Sequence, residues 1–312
     1  MTGPNDRTGD STASKPRVDP ASVTAAIANA PADPPGLYVV ATPIGNLADM
    51  SLRALRILAR ANVVACEDTR VTRKLMSRYG LTTRLMSYHE HNAEARRPEL
   101  MARLAAGEIV ALVTDAGTPL VSDPGFRLVS AAVEEGHPVF PVPGASALLA
   151  GLVVAGLPSD RFWFEGFLPA KSGARRARIA ELSRIDGTIV LYEAPHRVAA
   201  ALADLATGLG PRRAALAREL TKRYETVLRA PLDVLAARIA EDGPPKGEIV
   251  LVIGPGEAER MSDEDIDARL ARLVGEVGVK RAAALLAAET GLKRSDLYRR
   301  ALDQNVKTDD NE

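Results

Sequence analysis

Short, mostly apolar runs recur along the first half of the chain. Each is followed by a turn-rich stretch and then by a segment with apolar positions three and four residues apart. Residues 37–41, 62–66, 84–88, 108–113 and 138–142 read as buried strands, and residues 52–61, 71–79 and 126–135 have helical spacing. A further helix runs up to Gly107. Ser51 is placed to cap the first helix, with Leu52, Leu55 and Leu58 as its apolar stripe, and Gly80 is placed to close the second. Strand, turn and amphipathic helix in regular succession predict an α/β fold built on a parallel sheet.

Pro143-Gly144-Ala145-Ser146 breaks this rhythm and opens a small-residue helix over 147–156. The break is the expected boundary between an N-terminal α/β domain, residues 37–143, and a second α/β domain, residues 144–258. The second holds strands over 161–167, 188–192, 212–218 and 246–255. Residues 1–36 are polar and punctuated by proline, which predicts a disordered extension. Residues 259–312 form a charged helical tail. Its segments 282–289 and 295–302 flank Gly291, Ser295 is placed to cap the second, and Lys293, Arg294, Arg299 and Arg300 lie beside it, which suggests a helix-turn-helix.

Composition narrows the chemistry. The 312 residues allow two domains with their own cores, and an aromatic fraction of 4% makes those cores mostly Ala, Val and Leu. Forty basic and forty acidic residues cancel, so a polyanionic partner must be held by a local patch. The single cysteine, Cys66, excludes an intramolecular disulfide and fits a reducing, cytoplasmic setting, where it reads as a small core residue. No run approaches the length of a membrane span.

The richest turn is 113–125. It follows a strand, leads into a helix, and contains Asp115, Gly117, Pro119, Asp123, Pro124 and Gly125, with Asp123 placed as N-cap and Pro124 as the first helical residue. Turns at the carboxyl ends of parallel strands are where such sheets bind ligands. The phosphate-loop, dinucleotide and nucleophile-elbow motifs are absent. His89 and His91 flank Glu90 on a loop, too thin a set for a metal, and none is expected. Residues 42–46, 114–119 and 143–146 form small-residue turns without lysine. Their amides suit a carboxylate or a neutral polar ligand, and a molecule with both a carboxylate and an adenosine, such as S-adenosylmethionine, fits.

Several motifs stand in order: Thr42-Pro43-Ile44-Gly45-Asn46-Leu47, Glu67-Asp68-Thr69-Arg70, Asp115-Ala116-Gly117-Thr118-Pro119, Pro143-Gly144-Ala145-Ser146, Glu193-Ala194-Pro195-His196-Arg197 and Arg218-Glu219-Leu220-Thr221-Lys222. Together they resemble the ribosomal RNA small subunit methyltransferase I family of the tetrapyrrole methylase superfamily. The resemblance implies a two-domain tetrapyrrole-methylase fold with the cofactor cleft between domains and a small helical C-terminal domain. It also implies a homodimer that uses S-adenosylmethionine to methylate the ribose 2′-oxygen of cytidine 1402 in 16S rRNA of the 30S subunit. The cofactor residues it implies are Pro43, Asp115, Ala116, Gly117, Thr118, Val121, Ser146, Ala147, Tyr192 and Glu193. The first turn lacks the tetrapyrrole enzymes' Gly-x-Gly-x-Gly-Asp, which favours the RNA branch over a tetrapyrrole methylase, and a non-catalytic RNA- or nucleotide-binding protein is the alternative of another class.

A ribose hydroxyl gains from a nearby proton acceptor, and Asp68, His89, Glu90 and Glu219 stand on loops able to supply one. Asp68 or His89 is expected nearest the reacting methyl, and Lys222 is a candidate for holding a phosphate. Lys171, Arg175, Arg176 and Arg178 form a basic cluster expected to contact RNA phosphates. Phe162, Trp163 and Phe164 precede it and are expected in the core rather than as stacking platforms.

Overall fold

The computed structural model describes residues 30–121, 125–256, 263–290 and 292–309, with side chains through residue 303. Most of the expected extension, the expected cap at Asp123 and Pro124, and the Gly291 turn lie outside the described residues. The chain divides into two compact units, Met1–Gly254 and Pro255–Glu312.

The first unit contains two five-stranded sheets. In the first, β1 (Gly36–Val40), β2 (Val63–Cys66), β3 (Leu85–Ser87), β4 (Ile109–Val113) and β5 (Val139–Val142) are all parallel, in the order β3-β2-β4-β1-β5. β5 carries Pro141, which lacks an amide to donate and is tolerated because β5 is an edge. One face packs on α1 (Leu52–Arg60) and α2 (Thr69–Arg78) through Ile57, Leu58 and Met76. The other packs on α3 (Ala93–Ala105) and α4 (Phe126–Glu134) through Leu100, Leu104 and Leu128. Of the expected stripe of α1, Leu58 is buried with Ala54 and Ile57 and Leu55 packs against the same core, whereas Leu52 is exposed. Ser51 caps α1 at the Ala54 amide, and Gly80, at φ 69°, follows α2 as expected. α4 opens at Gly125 with φ 133°, a cap two residues beyond the expected Asp123.

α1 also anchors residues expected to be disordered. Asp33 accepts from Arg56 at 2.7 Å and from Arg60 at 2.9 Å, and the Tyr38 hydroxyl donates to the Pro34 carbonyl at 2.8 Å. Two guanidiniums that α1 spaces one turn apart give the carboxylate a place to dock.

The second sheet is mixed. β6 (Phe162–Phe167) runs parallel to β7 (Thr188–Glu193). β10 (Ile249–Ile253) is antiparallel to both β7 and β8 (Arg213–Arg218), and β9 (Thr226–Pro231) is antiparallel to β8. α5 (Ala147–Ala155) covers one face through Leu152 and Ala155. α6 (Ser172–Leu182), α7 (Val198–Leu209) and α8 (Leu232–Asp242) cover the other through Ile179, Leu202, Leu205 and Leu235. β9, α7 and α8 have no counterpart among the elements expected from the hydrophobic pattern. β6 lies at an edge, so Phe162 and Trp163 are 43% and 46% exposed rather than in the core, while Phe164 packs beneath α5's side.

In the second unit, α9 (Asp263–Val277), α10 (Val279–Thr290) and α11 (Arg294–Asp309) share a core of Ile266, Leu270, Leu273, Leu286 and Leu297. α11 opens at Arg294, one residue before the expected cap, and the Ser295 hydroxyl lies 3.5 Å from the Asp296 carboxylate. Arg300 is bound to Asp263 and Asp267 of α9, and Arg299 lies 3.8 Å from Asp296, so both serve this small core. No helix among the described residues is long and apolar enough to cross a membrane.

Candidate active site

β1 and β4 are neighbours, but the helices that follow them cover opposite faces of the first sheet. The connections therefore diverge at the carboxyl ends of these strands and open the crevice at which such sheets bind ligands. The two turns are tied across it. The Thr42 amide donates to the Gly117 carbonyl at 2.8 Å, and the Gly117 amide donates back to the Thr42 carbonyl at 3.0 Å. The Thr42 hydroxyl adds a bond to the Thr114 carbonyl at 3.1 Å. Gly117 has φ 84°, a conformation that costs glycine little, and a Cβ there would meet Ile44 at 3.3 Å. Leu120, at φ 72°, pays that cost in the same turn.

The second sheet closes this crevice. Ile44 of the first turn packs among Leu152, Val190, Ala217 and Val250. The Thr118 hydroxyl donates to the Ala145 carbonyl at 3.1 Å, and the Leu148 amide donates to the Tyr192 hydroxyl at 3.0 Å. The result is a cavity of about 350 Å³. Of the expected cofactor residues, Ala116, Gly117, Thr118, Val121, Ser146, Ala147, Tyr192 and Glu193 line it. Pro43 does not, and Asp115 does not.

Ile44, Phe167, Ala194, Pro195 and Glu248 to Val250 also line the cavity and were missed. Ile249 pairs with Glu193 in an antiparallel ladder, which brings the start of β10 beside the end of β7. Strand direction is a tertiary property, so no local signal identifies the 248–250 segment. The lining contains no lysine or arginine, and only Glu193 and Glu248 carry charge. Glu193 is buried, with Oε1 accepting from the Ala194 amide at 2.9 Å and lying 3.1 Å from Arg197 Nε. Such a lining fits a nucleoside with a compact, overall cationic tail and disfavours a triphosphate.

Asp115 instead joins a second, polar pocket of about 550 Å³ with Glu67, Asp68, Thr69, Arg70, Ser87, His89, Glu90 and His91. These residues stand at the carboxyl ends of β2, β3 and β4. Three of the four candidate proton acceptors, Asp68, His89 and Glu90, are thus brought together. Asp68 caps α2 at the Arg70 amide (2.7 Å), and the Arg70 side chain reaches both its oxygens at 2.6–3.2 Å. That pairing holds the Asp68 carboxyl down at about 2, so it is a weak base. The Asp68 amide donates to Asp115 Oδ1 at 3.2 Å. Burial, and then the charge of Asp68, push the Asp115 carboxyl up. His89 Nδ1 is buried without a hydrogen-bond partner.

Glu219 lines neither pocket. It accepts from Lys222 Nζ at 2.9 Å and from the Glu248 amide at 3.0 Å, and both lower its carboxyl pKa. Lys222 also donates to Glu248 at 2.8 Å, while its methylene stem lies where a Cβ on Gly45 would be. Glu219 and Lys222 therefore form a latch between the first turn and the start of β10, and neither is free for a substrate proton or phosphate.

The basic cluster on α6 is likewise committed within the fold. Arg175 is 7% exposed, and its guanidinium grips Asp204 of α7 at 2.6 and 2.7 Å. Arg176 takes the other Asp204 oxygen at 2.8 Å, and Arg178 is bidentate on Glu165 at 2.6 Å. The expected phosphate contacts do not hold for Arg175, which faces inward. Arg176 and Arg178 spend their charge on carboxylates of the same unit. Lys171, exposed at the start of α6, is the one member outside these pairs.

Comparison with known proteins accounts for this arrangement. The family description "Tetrapyrrole (Corrin/Porphyrin) Methylases" matches residues 36–236, and that of the "RsmI C-terminal HTH domain" matches residues 260–305. The chain is 50% identical over 270 residues to ribosomal RNA small subunit methyltransferase I of Mesorhizobium japonicum, covering 86% of this chain and 92% of that protein. The chain belongs to the ribosomal RNA small subunit methyltransferase I family. The member from Pseudomonas aeruginosa is 47% identical over 278 residues, covering 87% of this chain and 98% of its own length. Among solved structures, uroporphyrin-III C-methyltransferase from Thermus thermophilus, complexed with S-adenosylhomocysteine, shares the fold at a TM-score of 0.50 and 22% identity. It matches 70% of this chain and 97% of that one. Family membership thus agrees with the two α/β layers and the separate helical unit.

Proposed function

We propose that the protein transfers the methyl group of S-adenosylmethionine to the ribose 2′-oxygen of cytidine 1402 in 16S rRNA, acting on the 30S subunit as a homodimer. The carrying observation is the pair of adjoining pockets. One is lined by small residues and backbone without a cationic side chain, and the other is polar and holds Asp115 and His89. Kinship with small-subunit rRNA methyltransferases supports RNA as the acceptor.

The cofactor supplies an electrophilic methyl on a sulfonium. The turns at Ala116–Thr118 and Ser146–Ala147, with Tyr192 and Glu193, hold it. Tying the Thr42 and Gly117 turns together fixes that frame before substrate arrives. Alignment of the ribose oxygen with the methyl is worth about 7–11 kcal/mol of the barrier. Asp115 receives the hydroxyl proton, because its raised carboxyl is a stronger base than the depressed one of Asp68, and His89 lines the same pocket. Asp68 positions Asp115 through its amide and keeps its own charge on Arg70.

For the dimer, α4 and α5 present Phe126, Val133, Leu149 and Val153 to solvent, a set of apolar side chains costly to leave wet. The test is incubation with labelled cofactor and 30S subunits, naked 16S rRNA or a porphyrinoid. Label in 30S RNA, mapped to one cytidine ribose, is expected. Label in the porphyrinoid alone, or none in RNA while cofactor binds, overturns the reading.

A further inference from the structure

α2 spans ten residues and carries Arg70, Arg73, Lys74 and Arg78 with no acidic residue. Its inner face is Thr72 and Met76, and the four basic side chains are exposed. With Ser77, these four line an open groove of about 550 Å³. Arg70 is held by Asp68, but among the described residues no carboxylate pairs with Arg73, Lys74 or Arg78. This is the reverse of α6, where Asp204, Glu165 and Glu181 take up the arginine charges.

Arg70, Lys74 and Arg78 are spaced four residues apart, so each faces a like charge on the adjacent turn. Such spacing weakens a helix unless an anion relieves it. Arg70 also belongs to the polar pocket with Asp115 and His89, so the groove leads away from the rim of that pocket. The groove is lined by the aliphatic stems and charged heads of four basic side chains and by Ser77, with no apolar residue to anchor a folded protein partner, so its chemistry favours a polyanion.

We propose that this groove binds the phosphates of the substrate RNA strand and leads it to the Asp115–His89 pocket. The assignment rests on the RNA methyltransferase reading for its substrate. Arg73, Lys74 and Arg78 supply sequence-independent affinity, while Arg70 couples the strand to the loop that carries Asp68. Phosphate contacts release condensed counterions, so each lost contact lowers the salt dependence of binding by about one unit of slope.

The test uses the full chain with Arg73→Ala, Lys74→Ala and Arg78→Ala combined. Binding to 30S subunits and to 16S rRNA is titrated from about 50 to 300 mM salt, and cofactor binding is followed by calorimetry. The expected result is RNA affinity at least about tenfold weaker at fixed salt and a slope reduced by about 2–3. Cofactor affinity remains that of the wild type. An Arg238→Ala variant, which removes one cation of α8 paired with Asp242, is the control outside the groove and keeps the wild-type slope. Wild-type RNA affinity and slope in the triple variant would overturn the assignment. Wild-type protein that binds RNA through α2 but transfers no methyl to it would sink the catalytic reading and leave the groove standing.

Discussion

Asp68 and Asp115 sit on adjacent loops joined by one hydrogen bond, yet their carboxyls are moved in opposite directions. Asp68 has a depressed value of about 2, so its contribution to stability is present above its unfolded value of 3.8 and is lost as pH falls through about 2. Asp115 is raised above 3.8, so its ionisation works against folding, and its basic form disappears first on acidification. The acid limb of the pH–rate profile should therefore lie above 3.8. In Asp115→Asn, kcat should fall by about 10²-fold or more with cofactor affinity unchanged, and that limb should vanish. An Asp115→Asn enzyme with a normal profile would return the proton to His89. Gly45 makes a different kind of prediction. At φ 147° and in contact with the Lys222 stem, Gly45→Ala should weaken cofactor binding, and Lys222→Ala should recover part of the loss in a double-mutant cycle. Additive effects would show that the latch does not couple to the first turn.

At the level of elements, the parallel sheet was legible because strand, turn and helix repeat, and each buried strand is a short apolar run. The mixed sheet was legible only in part. β9 alternates weakly, with Arg229 and Thr226 among its six residues, and the antiparallel course of β10 has no local signature. For this reason the turns after β1 and β4 were identified from their glycines, whereas the 248–250 edge of the cavity was not. Charge misled for a related reason. Lys171, Arg175, Arg176 and Arg178 look like a solvated cluster until α7 supplies Asp204, a partner 29 residues from Arg175. The basic face of α2, four cations in nine residues, is as dense in sequence as the cluster on α6, and only the fold shows that Arg73, Lys74 and Arg78 have no carboxylate beside them among the described residues. Removing Asp204 leaves the buried Arg175 guanidinium uncompensated, so Asp204→Ala should cost roughly 3 kcal/mol, read from the denaturant midpoint. A variant as stable as wild type would mean that water replaces the carboxylate.

For the whole molecule, the exposed side chains of α5 predict that Leu149→Asp combined with Val153→Asp yields a monomer in sedimentation, with the fold retained by circular dichroism. A dimer in that variant would move the interface elsewhere. The two sheets also differ in when they can exist. The parallel sheet has all of its strands once Val142 has been made. The mixed sheet has its last strand in the middle, since β10 separates β7 from β8 and all five of its residues are buried. Until Ile249–Ile253 emerges during synthesis, β6 with β7 and β8 with β9 are two ribbons, each with a raw inner edge. Such edges invite mispairing. The first layer can form on the nascent chain, whereas the second, and with it the cavity between the two sheets, waits for almost the last residues of the unit. The rate-limiting event in refolding is therefore expected to be the insertion of one five-residue strand.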